Sequence, residues 1–471
     1  VSTFKQKGSE LVCRVTRTVL GEEAQNTMYR RLAKGAAGTY GQKMANMFLL
    51  LLTNLLLARI LGLAEFGVYA YAQSWVMLLL IPAVCGMDQL LVRNVAAFQA
   101  QAAWNLMSGL LRRANQIALA SSLALVMAAG GVSWAMVSYW EIDSSKVVTF
   151  VIALWLLPFT VLTRLRQSAM IGLHHIVTGQ LPEKIFQPLL FIILISGSLL
   201  FWAEDLQAST AMGIKVISVL VIFVVGTRML FKALPPDIFE ASPHYQTSSW
   251  MRSALPLLLA SGLHVVNAQV GILMLGAIAG TKEVGIFVVV NRLAGFILFF
   301  LGALNIAVGP TVSRLYAQGD MNQLQHLVTK GARVILFLAA PLAISMMVLG
   351  YWFLLAFGQP FTVGQTALAI FSVGQLINVA TGPVGTLLIM TGHERDAAIS
   401  VGGSVILGIL LNAILIPIWG LNGAAVAGSF SLALWNILLA IWVYKRLRIN
   451  PTALGSWWSS EAPKAPRLSS S

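Results

Sequence analysis

Charge is scarce in this chain: only 10% of its 471 residues are Asp, Glu, Lys or Arg. Soluble domains carry about 25% charged and about 45–50% apolar residues. Here 58% are hydrophobic, which excludes a water-soluble globular enzyme. Cysteine is nearly absent, and Cys13 and Cys85 cannot build a disulfide framework. The sequence also lacks a Walker-type nucleotide loop, a cofactor fingerprint and any metal-spaced Cys/His cluster. His174-His175 has no ligand partner at metal spacing, so no metal or other cofactor is expected. Residues 1–43 are polar and basic, without the apolar core of a cleavable signal peptide. The chain starts at Val1, which leaves its true N-terminus open.

What is present is apolar run length, with a mean hydropathy of +0.80. A helix needs about 20 apolar residues to cross a hydrocarbon core about 30 Å thick. Twelve stretches qualify: 44–61, 67–87, 115–138, 147–172, 184–203, 207–230, 253–279, 284–309, 331–356, 364–391, 397–418 and 421–444. The fold class this predicts is an all-α polytopic membrane protein with about 12 transmembrane helices.

Direction follows from Lys and Arg. Of the 31 cations, 26 fall on the side that holds the N-terminus, three (Arg59, Lys146, Lys282) fall opposite, and Lys215 and Arg292 lie inside spans. The positive-inside rule then places both termini in the cytoplasm of a multi-pass cytoplasmic-membrane protein. The net charge of +14 reads as cationic loops facing one side of a membrane, not as a nucleic-acid surface. The opposite loops are very short, so a membrane enzyme acting there has nowhere to carry catalytic groups. The protein is not expected to be an enzyme.

A weak duplication runs through the chain at an offset of 218 residues. Ala58–Tyr69 (ARILGLAEFGVY) matches Gly276–Phe287 (GAIAGTKEVGIF), pairing Gly62 with Gly280, Glu65 with Glu283 and Gly67 with Gly285. Chance similarity among Gly- and Leu-rich helices is the blander reading. Taken as real, it divides the chain into a basic segment at 1–37, a six-span lobe at 38–230, a linker at 231–249 and a second six-span lobe at 250–445. A tail follows at 446–471, whose residues 451–471 read as disordered. Six spans per lobe make the repeats parallel, related by an axis along the membrane normal.

A charge at a helix centre costs about 2.5–3.5 kcal/mol on insertion scales, so buried cations usually face a cavity or a partner. Lys215 and Arg292, one from each lobe, are candidates to line a shared cavity for a phosphate or carboxylate. Snorkelling to the interface is the alternative. Arg59, at the end of the first span, is explained by snorkelling but is also a candidate contact. His264 is a candidate titrating group or a hydrogen-bonded core histidine. Asn46, Asn54, Asn267 and Gln269 either bind sugar hydroxyls or bond between helices. Asp88 and Arg93 close the second span as gating or ion-pair candidates. Arg93 reaches a carboxylate on a neighbouring segment in one conformation and releases it in the other, or else sits in a static interfacial ion pair. Asp88 reads as the sole carboxylate within reach of a span, which disfavours carboxylate-driven proton antiport. The small residues Gly423-Ala424-Ala425, Ala427 and Gly428 read as close packing.

Several runs carry a family resemblance. Leu61-Gly62, Phe66-Gly67-Val68-Tyr69 and Ser74 precede Gly86-Met87-Asp88 and Arg93. Further on stand Pro310, Ser313–Asp320 (SRLYAQGD), Thr391-Gly392-His393 and Leu415–Ala427 (LIPIWGLNGAAVA). In this order the chain resembles the polysaccharide transporter, or Wzx-like oligosaccharide flippase, family of the multidrug/oligosaccharidyl-lipid/polysaccharide flippase superfamily. The resemblance covers about residues 38–445. It implies two six-helix, MATE-like lobes and translocation of a polyprenyl-diphosphate-linked oligosaccharide for cell-surface polysaccharide such as lipopolysaccharide O-antigen. The implied partners are that lipid-linked oligosaccharide, membrane lipids and polysaccharide assembly proteins. A cation-coupled multidrug exporter of the same fold and a membrane glycan polymerase or ligase are the alternatives. The sequence lacks two extra C-terminal spans and the cluster of first-span arginines of the related lipid II flippases; only Arg59 lies there.

Overall fold

The computed structural model describes residues 22–140, 144–199 and 206–455. Cys13, the cations Lys5, Lys7, Arg14 and Arg17, the acidic Glu141, Asp143, Glu204 and Asp205, and tail residues 456–471 lie outside the described residues. Ten helices among the described residues are long and apolar enough to cross a membrane. Two of the ten are double. The apolar part of Glu22–Val84 runs 47 residues from Gly38, about 70 Å at 1.5 Å per residue. That is more than twice the core thickness of about 30 Å.

The long helix breaks at Gly62 (φ 70°, ψ 175°), a backbone region open essentially to glycine alone. Glu394–Leu447 breaks in the same way at Gly420 (φ 50°, ψ −125°). There the chain doubles back, because a Cβ on Gly423 would stand 2.1 Å from the Leu415 carbonyl oxygen. The ten helices therefore make twelve crossings of an all-α multi-pass membrane protein. Residues 38 and 447 share one face, called here the terminal face; the other is the far face.

Span limits differ from expectation where charges find partners inside the bundle. The sequence starts span 5 at 184, yet its helix begins at Ile176 and carries Glu183 and Lys184 through a π-turn (Pro182–Phe186) before running to Ser198. Glu183 is held there by an ion pair to Arg166 of span 4, which is only 4% exposed. Span 3 starts at Trp104, not 115, and takes in Arg112 and Arg113. Arg113 donates to the Thr247 hydroxyl at 3.0 Å and lies over the Tyr245 ring. The tail is ordered further than the disordered reading allows. Ala453 N–H donates to the Ala380 carbonyl, Arg333 donates to the Ala453 carbonyl, and Ile449 and Pro451 are buried. These backbone groups find acceptors and donors on the second lobe, so residues 451–455 stay docked.

The lobes, spans 1–6 and 7–12, meet along span 2 against spans 7 and 8 and along span 1 against span 8. One apolar core runs through both, with Phe66, Val284 and Phe361 almost fully buried. A smaller core at the terminal face of the second lobe packs Val312, Leu324, Leu388 and Val443.

Residues 218 apart behave alike. Gly280 (φ 98°, ψ 169°) turns the chain between spans 7 and 8 with nearly the backbone of Gly62. Glu65 accepts from the Ala208 N–H at 2.8 Å, at the start of span 6. Glu283 accepts from the Leu421 backbone, at the start of span 12. Each carboxylate sits where a helix leaves free N–H groups and its positive dipole end.

Candidate functional site

The site is the seam between the lobes. At the far face the two backbones touch. A Cβ on Gly67 would stand 2.0 Å from the Thr281 carbonyl oxygen, and one on Gly285 would stand 3.1 Å from that of Leu63. Leu63 and Thr281 are themselves 218 apart, so the contact is nearly self-complementary. Phe66 and Phe361 add an edge-to-face pair at 6.0 Å. Arg59 crosses the same seam, donating from Nε to the Ala356 carbonyl at 2.7 Å and from Nη2 to Leu355 at 3.1 Å. It is exposed and acts here as a clasp between lobes.

At the terminal half the lobes touch again. The Tyr40 hydroxyl donates to the Phe299 carbonyl at 3.0 Å, joining spans 1 and 8. Gly86 lies against the Ala254 carbonyl, joining the end of span 2 to span 7.

Between these ends lie two neighbouring pairs of cations. Lys215 is half-buried, its ammonium 4.8 Å from the centre of the Phe191 ring, and Arg292 of the other lobe is near enough to repel it. Lys215 is seven residues from the far end of span 6, about 10 Å deep, by a rise of 1.5 Å per residue. Arg292 is eleven residues from the far end of span 8, about 16 Å deep by the same rise. Lower down, Lys43 of span 1 bears electrostatically on Lys184 of span 5 and approaches Gly302 of span 8. Lys184 donates to Gln180 on its own helix. None of the four cations forms an ion pair among the described residues.

The remaining candidates divide. Asn46 donates to the Lys184 carbonyl at 2.7 Å, tying span 1 to span 5, and Asn54 donates to Leu50 one turn back. Both are engaged as helix bonds. Asn267 and Gln269 are half-buried and make no hydrogen bond among the described residues. His264 is exposed and lies tilted against Trp435 of span 12, with ring centres 5.6 Å apart, on the second lobe.

Asp88 pairs with Arg164 at 3.0 Å, and Arg93 is exposed with no ion pair among the described residues. The chain breaks at Cys85-Gly86, so Asp88 opens a new helix, Met87–Ala100. Five residues on, Arg93 points about 140° away around that helix. The pairing therefore belongs to Asp88 and Arg164.

Two features escape the sequence reading. Lys43 and Lys184 look like loop cations but sit within spans, and Glu183 and Asp396 are carboxylates on spans in addition to Asp88.

The polysaccharide biosynthesis protein family matches residues 32–316, more than half of the chain, and the MatE family matches residues 256–414. A probable flippase, AglR of Haloferax volcanii, is 27% identical over 200 residues, covering 41% of this chain and 42% of that protein. The chain thus spans about two fifths of the curated relative it matches. An inward-facing multidrug-resistance MATE family transporter of the MOP superfamily superposes with a TM-score of 0.72 at 12% identity, covering 86% of this chain and 94% of its own. The lipid II flippase MurJ in an inward closed conformation superposes at 0.67 and 13% identity, covering 87% of each chain. At such identities the structural likeness establishes the two-lobed fold.

Proposed function

Because the chain belongs to the polysaccharide biosynthesis protein family, we propose that it is a flippase for a polyprenyl-diphosphate-linked oligosaccharide. Its terminal face is cytoplasmic, as the distribution of Lys and Arg indicates. The observation that carries this reading is two neighbouring cation pairs without an ion-pair partner among the described residues, Lys43 beside Lys184 nearer the terminal face and Arg292 beside Lys215 nearer the far face. A diphosphate carries the charge these groups lack, and charge-assisted hydrogen bonds to it replace part of its hydration.

The mechanism is alternating access without covalent chemistry. The diphosphate and glycan enter from the cytoplasmic side while the polyprenyl chain stays in lipid. Rocking of the lobes opens the far-face contacts of Gly67, Gly285 and Arg59 and presents the headgroup outward. Asn267 and Gln269, whose amides make no hydrogen bond among the described residues, are the groups offered to sugar hydroxyls. An ion gradient, the membrane potential or consumption of product supplies the driving force.

The exporter alternative fits the fold, and a cationic drug in this seam would meet four positive groups. The relative AglR is a probable flippase, which supports the same choice. The test is a proteoliposome assay with a fluorescent lipid-linked oligosaccharide. Protein-dependent movement between leaflets is expected, and rates equal to empty vesicles would overturn the proposal.

A further inference from the structure

A second feature lies away from the seam. Spans 3 and 6 of the first lobe each pack on span 4 but leave a gap between themselves. The gap is a groove of about 550 Å³ near the terminal face. That volume is within the range of small-molecule sites, about 300–1,000 Å³.

Its polarity is graded. Ser108 and Arg112, in the first turns of span 3, line the end nearest the terminal face. Leu119, Leu162 and Phe223 line the deep end, one from each of the three spans. Arg166 stands between, flat against Gly226, where even a Cβ would overlap its guanidinium. Its Nε and Nη1 are buried without a hydrogen-bond acceptor, and its other nitrogen is turned to Glu183. Arg112 is exposed, with no ion pair among the described residues. Linker residues Leu234, Ile238 and Phe239 form the lip.

A slot that is cationic at its terminal-face end and apolar below has the chemistry of one molecule class. We propose that this groove binds an anionic phospholipid of the cytoplasmic leaflet, its phosphate on Arg112 and one acyl chain running along Leu119, Leu162 and Phe223. A cation beside an anionic headgroup gains electrostatic attraction, and an acyl chain gains from burying its methylenes. Because the lip belongs to the segment that joins the lobes, an occupied groove holds that linker against span 3. His244 N–H already donates to the Asn105 carbonyl there.

The full chain, purified in a neutral detergent, is titrated with phosphatidylglycerol, phosphatidylcholine, polyprenyl phosphate and inorganic phosphate, with retained lipid read by native mass spectrometry. Phosphatidylglycerol is expected to be retained over phosphatidylcholine. R112Q is expected to weaken that retention about fivefold, the worth of one cation, and R112K to keep most of it. T227F, which fills the groove from span 6, is expected to abolish retention while thermal unfolding stays unchanged. Equal retention of both phospholipids, or retention unaffected by R112Q and T227F, would overturn the proposal. So would preferential binding of polyprenyl phosphate, or competition by inorganic phosphate alone.

Discussion

The two lobes agree at the far face and part company inside. At the far face, glycines 62 and 280 share an uncommon backbone, Glu65 and Glu283 each accept from the start of their own lobe's last span, and Gly67 and Gly285 meet across the seam. In the interior, the first lobe holds charge: Asp88 with Arg164, and Glu183 with Arg166. The second lobe keeps one such pair among the described residues, Asp396 with Arg446 near the terminal ends of spans 11 and 12, and otherwise buries neutral groups, among them Ser372, Gln375, Asn378, Asn412 and Asn436. A contact between two backbones leaves no room for variation, so both copies keep it. A helix interior accepts any pair of groups that satisfy each other, so the copies diverge there.

The largest effect is expected where the lobes touch. Gly67→Leu puts a side chain into the Thr281 carbonyl. Overpacking costs about 1–3 kcal/mol even against movable side chains, and here the obstacle is backbone. Transport should fall to background, and disulfide trapping between Cys substitutions at 63 and 281 should fail. Efficient trapping with normal transport would break the claim that this contact closes the far face.

Next come the cations. Arg292→Gln or Lys215→Gln removes one charge-assisted contact, about 1.5 kcal/mol or tenfold. Initial transport rates of a lipid-linked oligosaccharide should drop accordingly, with unchanged thermal stability. Loss of stability with unchanged transport would make these residues structural.

Asp88→Asn leaves Arg164 unpaired. Because Arg164 is 37% exposed, only about 1 kcal/mol of stability is expected to go, read as a lower melting temperature. Asp88→Arg with Arg164→Asp should restore most of it, while Arg93→Gln should change nothing. The smallest effect sharpens the symmetry: Glu65→Gln and Glu283→Gln should each cost about 0.5–1 kcal/mol. Costs that differ by more than the pair's mean would show that the two helix starts have diverged as well.

Much of the fold was legible because hydropathy records membrane thickness directly. Twelve crossings follow from run lengths, and the Gly62/Gly280 register is written in the residues themselves. Span 5 was displaced because Glu183-Lys184 resembles a membrane edge; only its distant partner Arg166 makes burial tolerable. Asp88's partner was hidden for the same reason, since Arg164 is 76 residues away in sequence. Lys215 and Arg292 were found from depth alone, whereas Lys43 and Lys184 needed the three-dimensional packing of spans 1, 5 and 8. The engagement of Asn46 and Asn54 could not be read from residue type, because an amide suits a sugar and a carbonyl equally well.

The central claim is that the seam cations stand in water between the lobes. Single Lys215→Cys and Arg292→Cys variants, in a background with Cys13 and Cys85 replaced, test it by reaction with a charged, membrane-impermeant thiol reagent. Labelling of both from the aqueous phase, slowed by added lipid-linked oligosaccharide, is the expected result. Labelling of both by a lipid-soluble maleimide alone, with no protection, would place them on the lipid-facing exterior and contradict the account.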